Sequence, residues 1–176
     1  MRLYLDAADR FTATVDATTD WSAASPCEGW SAADVVDHVV DTERQFLQGH
    51  GADLGERPSG APAEVWRQHL DAVRPLAADE GFRAREYDGF FGRTTIGETL
   101  DHFYGFDLVV HGWDLARATG QDETIERLYV ERVWTMAKGF DENLRRPGVC
   151  GPEVPVPADA PLQDRLLGLL GRDPAA

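Results

Sequence analysis

Residues 95–119 read TIGETLDHFYGFDLVVHGWDLARAT, and this stretch decides the fold class. Ile96, Leu100, Phe103, Phe106, Val110, Trp113 and Leu115 recur at three- to four-residue spacing, the period of a helix with an apolar face. Gly120 follows where a glycine can close a helix in a left-handed turn. The spacing predicts a helix from Thr95 to about Thr119, the longest in the chain. Two polar residues, Asp107 and His111, flank its apolar run Leu108 to Val110. One helical turn separates them, which stacks them on one face.

The same periodicity extends to both sides. Leu3, Leu5, Ala8, Phe11 and Val15 predict a helix from Arg2 to about Thr18. Pro26 and Gly29 make Ser25 to Trp30 a loop. Ser31 is then placed as an N-cap, with Asp34 at the third helical position. That helix runs to about Gln48 on a stripe of Val35, Val36, Val39, Val40 and Phe46, and His38 lies beside the stripe. After a Gly/Pro-rich loop, Val65, Trp66, Leu70 and Val73 predict a helix from Ala63 to about Ala78, which Pro75 should kink or shorten. Arg83 to Thr94 holds Tyr87, Phe90, Phe91 and two glycines. It reads equally as irregular chain or a short extended excursion. A further helix spans Glu123 to about Arg145 on Ile125, Leu128, Val133, Met136 and Phe140, and Pro147 stops it. Gly151 to Pro161 alternates Pro with Val and cannot be helical; a short helix from Leu162 to Leu170 closes the chain.

Four substantial helices and no internal repeat predict an all-α single domain over residues 1–176. The expected form is an antiparallel four-helix bundle, with a Pro-rich tail and short final helix from 147. A 176-residue chain that is 43% hydrophobic suffices for one core. The net charge of −14 repels phosphate backbones and anionic headgroups, which argues against nucleic-acid and membrane-surface partners. Cys27 and Cys150 form no disulfide framework and no CxxC. Met1 to Arg10 has no apolar signal segment, and no apolar run approaches the roughly 20 residues of a membrane span. The expectation is a cytoplasmic protein with reduced thiols.

Asp107 and His111 can share one metal ion, since carboxylate oxygen and imidazole nitrogen each bind at about 2.0–2.2 Å. His38 is the best third ligand: it sits mid-helix beside Val35 and Val39, leaning inward. Two imidazoles and one carboxylate leave coordination positions open, as in reactive rather than structural sites. The plainer reading is a helix surface pair worth a few tenths of a kcal/mol, with His38 a hydrogen-bonded core residue. Asp114 can orient an imidazole from behind or bridge locally. Arg117 can receive a carboxylate-bearing ligand or join a surface ion pair. His102 is a candidate to approach the site from outside the ligand set. His50 and His69 read as solvated. Cys27 has no cationic neighbour in sequence and reads as an unreactive, half-buried thiol.

At these residues the chain resembles a known family. Ser25-Pro26-Cys27-Glu28-Gly29-Trp30-Ser31 followed by His38 is similar to the first motif of the actinobacterial mycothiol-dependent maleylpyruvate isomerase-like proteins, of the DinB-like superfamily of metal-binding four-helix bundles. The stretch from Asp107 through Trp113, Asp114 and Arg117 to Gly120 resembles the family's signature helix. The tail from Gly151 to Pro161, continuing through Arg165, is also similar. The resemblance implies a ligand set of His38, Asp107 and His111. The isomerase proper carries Glu where this chain has Asp107, and a C-terminal α+β domain follows its bundle. The metal-binding bundle therefore carries over, and the substrate does not.

The resulting expectation is a thiol-dependent transferase or isomerase. A divalent metal, Zn²⁺ by preference with Ni²⁺ or Fe²⁺ compatible, would bind a small thiol such as mycothiol for attack on a small electrophile. The alternatives are a metal-binding or small-ligand-binding bundle without turnover, acting as sensor or sequestering module, and hydrolysis by metal-activated water. No catalytic residue beyond the ligands can be named, and exposed helix faces are compatible with a homodimer.

Overall fold

The apolar spacing before residue 80 is realised as three long helices. The computed structural model describes residues 3–89, 92–146 and 149–175, with α1 at Leu3–Ala17, α2 at Ala32–Gly49 and α3 at Pro62–Ala78. Ser31 caps α2 as expected. Its hydroxyl accepts the Asp34 N–H, and the Asp34 carboxylate accepts the Ser31 N–H at 2.8 Å. Such a reciprocal cap is worth about 1 kcal/mol. Pro62 begins α3, where its missing N–H costs nothing. Pro75 does not end that helix, which continues to Ala78.

The all-α expectation needs one correction. After α4 (Glu80–Arg83), strands β1 (Glu86–Gly89) and β2 (Gly92–Thr95) pair antiparallel, with Glu86 opposite Thr95 and Gly89 opposite Gly92. The protein is mostly helical with a small two-stranded sheet. Gly92 has φ +109°, a backbone state open to glycine, and Tyr87 anchors the hairpin against Phe46 and His50. Phe90 and Phe91 lie outside the described residues.

The long helical pattern forms α5 (Ile96–Thr99), a π-helical turn (Leu100–Tyr104) and α6 (Gly105–Ala118) in succession. The Gly105 N–H reaches back five residues to the Leu100 carbonyl. That extra residue shifts the buried face: Tyr104 is inside, while Phe103, expected in the stripe, is 46% exposed. Gly105 lets α1 come close, since a Cβ there would lie 3.0 Å from the Tyr4 nitrogen and 3.0 Å from Leu3 Cγ. Gly105→Ala should therefore cost about 1–3 kcal/mol by overpacking, read as a lower urea midpoint. An unchanged midpoint would mean that α1 yields freely.

The next helix starts later than its sequence pattern. α7 spans Arg127–Phe140, followed by a 3-10 turn at Asp141–Arg145, and α8 spans Leu162–Leu169. The residues before α7 are held by the Gln163 amide, which accepts from Ile125 N–H at 2.9 Å and donates to the Glu123 carbonyl at 3.1 Å. Pro147, the expected stop, lies outside the described residues.

α6 packs against α1 and α2, α3 packs against the same two helices, and α7 lies between α6 and α8. One cluster of buried side chains runs from Leu3 to Leu170. α6 is buried nearly all round, the pattern of an interior helix. His69 is fully buried rather than solvated, with Nε2 2.8 Å from Glu43 Oε2 between α3 and α2. Its helical position falls on the Trp66, Leu70 and Val73 side, and Glu43 supplies the partner that burial demands. His50 is half-buried against Tyr87 and Phe46. Among the described residues, no helix is long and apolar enough to cross a membrane.

Candidate metal centre

Interior helices seldom carry ionisable groups without paired partners. α6 carries Asp107, His111 and Asp114, and the structure shows where their charges go. His111 is central and buried. Its Nε2 lies 3.4 Å from Asp107 Oδ1, one turn earlier, and its Nδ1 lies 2.9 Å from Asp114 Oδ2. α2 brings His38 to the same place, with Nε2 3.9 Å from Asp107 Oδ2. The valine stripe that buries α2 against the core sets this orientation and leaves His38 at its edge, 30% exposed.

The loop before α2 completes the wall. Ser25 N–H bonds the Trp30 carbonyl at 2.8 Å and Trp30 N–H bonds the Cys27 carbonyl at 3.0 Å, closing a turn in which Gly29 has φ +78°. The Trp30 ring lies 4.7 Å from the His38 ring and stacks 5.9 Å from the His111 ring. The two imidazoles are 5.0 Å apart.

Ligand atoms of His38, Asp107 and His111 all lie within 4.8 Å of one another. Donors about 2.1 Å from one ion at tetrahedral angles sit about 3.4 Å apart, so small side-chain movements would close this set on a cation. Behind it, Asp114 accepts from His111 Nδ1, so that in the neutral ring the proton sits on Nδ1 and Nε2 turns a lone pair toward the other donors, the usual support for a metal-bound imidazole. Cys27, His111 and Asp114 form a second cluster of ligand atoms. A cation fits it poorly. The Arg172 guanidinium lies 2.7 Å from Asp114 Oδ2 and 3.5 Å from Cys27 Sγ, so positive charge already occupies that side. The residues present fit a divalent ion on the His38 side.

The electrostatics follow the same division. Burial lowers the His38 pKa, only partly offset by the Asp107 charge. Burial would also lower that of His111, but the Asp107 charge and hydrogen bonds to Asp107 and Asp114 outweigh it and raise it well above an ordinary imidazole. Burial opposes ionisation of Asp107 and Asp114, yet His111 holds both below the usual carboxylate range, helped at Asp114 by Arg172.

Of the other residues singled out in the sequence, Asp114 is brought in and two are not. His102 is exposed beside a surface groove lined by Leu128, Arg132 and Phe140. Arg117 lies over the Trp113 ring, pairs with Glu123 at 2.5 Å and donates to the Pro174 carbonyl at 2.7 Å. Cys27 acquires the cationic neighbour that its local sequence lacks: its thiol contacts Asp114 at 3.4 Å and Arg172. Sequence reasoning missed Arg172 and the ring contacts of Trp30. Trp30 carried a signal in its place within the first motif; Arg172 carried none.

The fold and site define a class: a mostly helical protein presenting a His–Asp–His donor set between two helices, with a carboxylate behind one imidazole. The chain belongs to the mycothiol maleylpyruvate isomerase N-terminal domain family, whose profile matches residues 2–116. It is similar to the uncharacterized protein Rv0738 of Mycobacterium tuberculosis strain H37Rv, 31% identical over 154 residues, covering 84% of this chain and 82% of the relative. The uncharacterized protein MT0763 of Mycobacterium tuberculosis strain CDC 1551 matches with the same figures. No solved structure gives a significant match.

Proposed function

We propose that this protein binds a divalent metal, best Zn²⁺, through His38, Asp107 and His111, and uses it for thiol-dependent transfer or isomerisation of a small electrophile. The four helices α1, α2, α3 and α6 serve as the bundle that holds the site. The carrying observation is the convergence of three donors from two helices, with Asp114 behind His111. The family's name supports a low-molecular-weight thiol such as mycothiol as cosubstrate. A cytoplasmic setting belongs to this reading, because such thiols are kept reduced there.

When bound, a divalent ion would supply a deprotonated thiol at neutral pH. The chain's own residues do the rest. His38 and Asp107 are 30% and 20% exposed, which leaves the outer side of the donor set open to ligands. The Trp30 ring lies against both imidazoles and supports their orientation. Asp114 holds the Nδ1 proton of His111 and fixes the ring.

The test is metal content of the purified protein, followed by thiol calorimetry on the zinc-loaded form and thiol-dependent loss of electrophiles such as epoxides and haloaromatics. One metal per chain and thiol binding at the metal are expected. Protein that is metal-free and takes up none on reconstitution would overturn the proposal. A second reading, metal binding without turnover, draws on Asp114: the carboxylate behind the donor set is tied to His111 and Arg172 and is not free to act as a base. Thiol binding with no turnover across the electrophile panel would favour it.

Metal uptake should release protons and weaken as pH falls, because imidazole ligands bind neutral. The raised His111 pKa places this competition at higher pH than for an ordinary imidazole. In the metal-free protein the signs differ. A raised histidine pKa stabilises the fold fully below the unfolded value of about 6.5 and loses that contribution as pH rises through the folded value. The lowered Asp107 and Asp114 values stabilise above about 3.9 and lose their contribution as pH falls through the folded values. Urea denaturation of metal-free protein should show stability declining on both sides of mildly acidic pH. Calorimetry in buffers of different ionisation enthalpy should show proton release on zinc binding, and a heat independent of buffer would contradict it.

A further inference from the structure

Arg172 follows α8, outside the residues that the family profile matches. It is nonetheless one of the most enclosed charges in the protein, 9% exposed. Its backbone holds it there: Arg172 N–H bonds the Leu167 carbonyl at 2.9 Å. Gly171, at φ +82°, packs so tightly on Gly151 that a Cβ would lie 3.0 Å from the Gly151 carbonyl carbon. The guanidinium donates to the Leu170 carbonyl through Nη1 and grips Asp114 with two further bonds, Nε to Oδ1 at 3.1 Å and Nη2 to Oδ2 at 2.7 Å. Asp114 Oδ2, held in this fork, is the atom that accepts from His111 Nδ1. An unbroken line of buried hydrogen bonds thus runs from the C-terminal segment to the imidazole.

We propose that Arg172 is a positioning residue of the metal centre: acting through Asp114, it locks the His111 ring so that Nε2 faces Asp107 and His38. This rests on the metal-binding reading above. A carboxylate can rotate about its terminal torsion, and the bonds from His111 and the Cys27 thiol, both to Oδ2, would not fix its plane. The bidentate fork removes that freedom, as a planar guanidinium can and an ammonium cannot. Arg172 also balances the Asp114 charge inside the protein, so the donor side keeps the negative charge of Asp107 for the cation.

The test uses the full chain and Zn²⁺ or Co²⁺ as the probe. Removing a partner from behind a metal ligand lowers affinity by about 10- to 100-fold. Arg172→Gln is expected to weaken Zn²⁺ binding by that factor and to alter the visible spectrum of the Co²⁺-loaded protein, while far-UV circular dichroism stays native. Arg172→Lys should recover part of the affinity. In an Asp114→Asn background, Arg172→Gln should weaken binding little further, since the intermediary is already lost. Should Arg172→Gln fail to fold, Arg172→Lys against wild type, alone and in the Asp114→Asn background, carries the same comparison. Wild-type affinity and an unchanged Co²⁺ spectrum in a folded Arg172 variant would overturn this role and leave the metal reading intact. So would independent, additive losses from the two positions. Wild-type protein that binds no ion would remove both.

Discussion

His111→Ala should leave a folded protein with its affinity for divalent metal reduced at least about 100-fold. Zinc binding at structural sites is worth about 10–16 kcal/mol over four ligands, so one ligand contributes roughly 3 kcal/mol, or about two powers of ten. Among the described residues, His111 also has no substitute in place. It is the donor common to both clusters of ligand atoms, and the Cys27 cluster fails without it. The fold should persist, because Asp114 keeps its two bonds to Arg172 and Asp107 reaches solvent at 20% exposure. Removing the imidazole therefore strands no buried charge. Zinc titration by calorimetry, with circular dichroism as the folding control, measures the effect. A variant that binds zinc within tenfold of wild type would show that the ion sits elsewhere.

Trp66→Ala should produce the largest loss of stability, about 3–5 kcal/mol by the usual cost of emptying an aromatic core position. Against a typical total of about 5–15 kcal/mol, this threatens folding at physiological temperature. Trp66 is fully buried on α3, its ring meets Phe11 of α1 edge-on at 4.7 Å, and its Nε1 donates to Thr12 Oγ1 at 2.9 Å. It thus joins two helices by packing and by one satisfied hydrogen bond. Trp66→Phe retains much of the ring volume and loses that bond, so a smaller cost of about 1 kcal/mol is expected. Urea denaturation followed by circular dichroism separates the two variants. If the alanine variant lost less than the phenylalanine variant, the α1–α3 contact would not depend on this ring.

The helices were legible because burial imposes a 3.6-residue period on Val35 to Val40, on Leu3 to Val15 and on Val65 to Val73. Ser31 and Asp34 were legible because capping chemistry is local. The nearness of Asp107 to His111 could be read from spacing, and the inward lean of His38 toward Asp107 from its place beside a valine stripe. Other features depend on contacts distant in sequence. Glu43 supplies the reason for burying His69, and it belongs to another helix. Gln163 of α8 holds back the start of α7. Arg172 meets Asp114 only after the tail has folded back, and a single arginine in a short terminal segment has no periodicity to betray it.

The widened turn at Leu100–Tyr104 has a consequence for angular phase. Each helical residue advances the side-chain direction by about 100°, so the one added residue fixes the azimuth of everything downstream relative to α5. Deleting it would swing Asp107 and His111 together through roughly that angle, away from α2, while preserving their mutual spacing. An intact DxxxH pattern would then face the wrong neighbour. Comparing related chains thus requires counting residues between Ile96 and Asp107 as carefully as matching the pair itself.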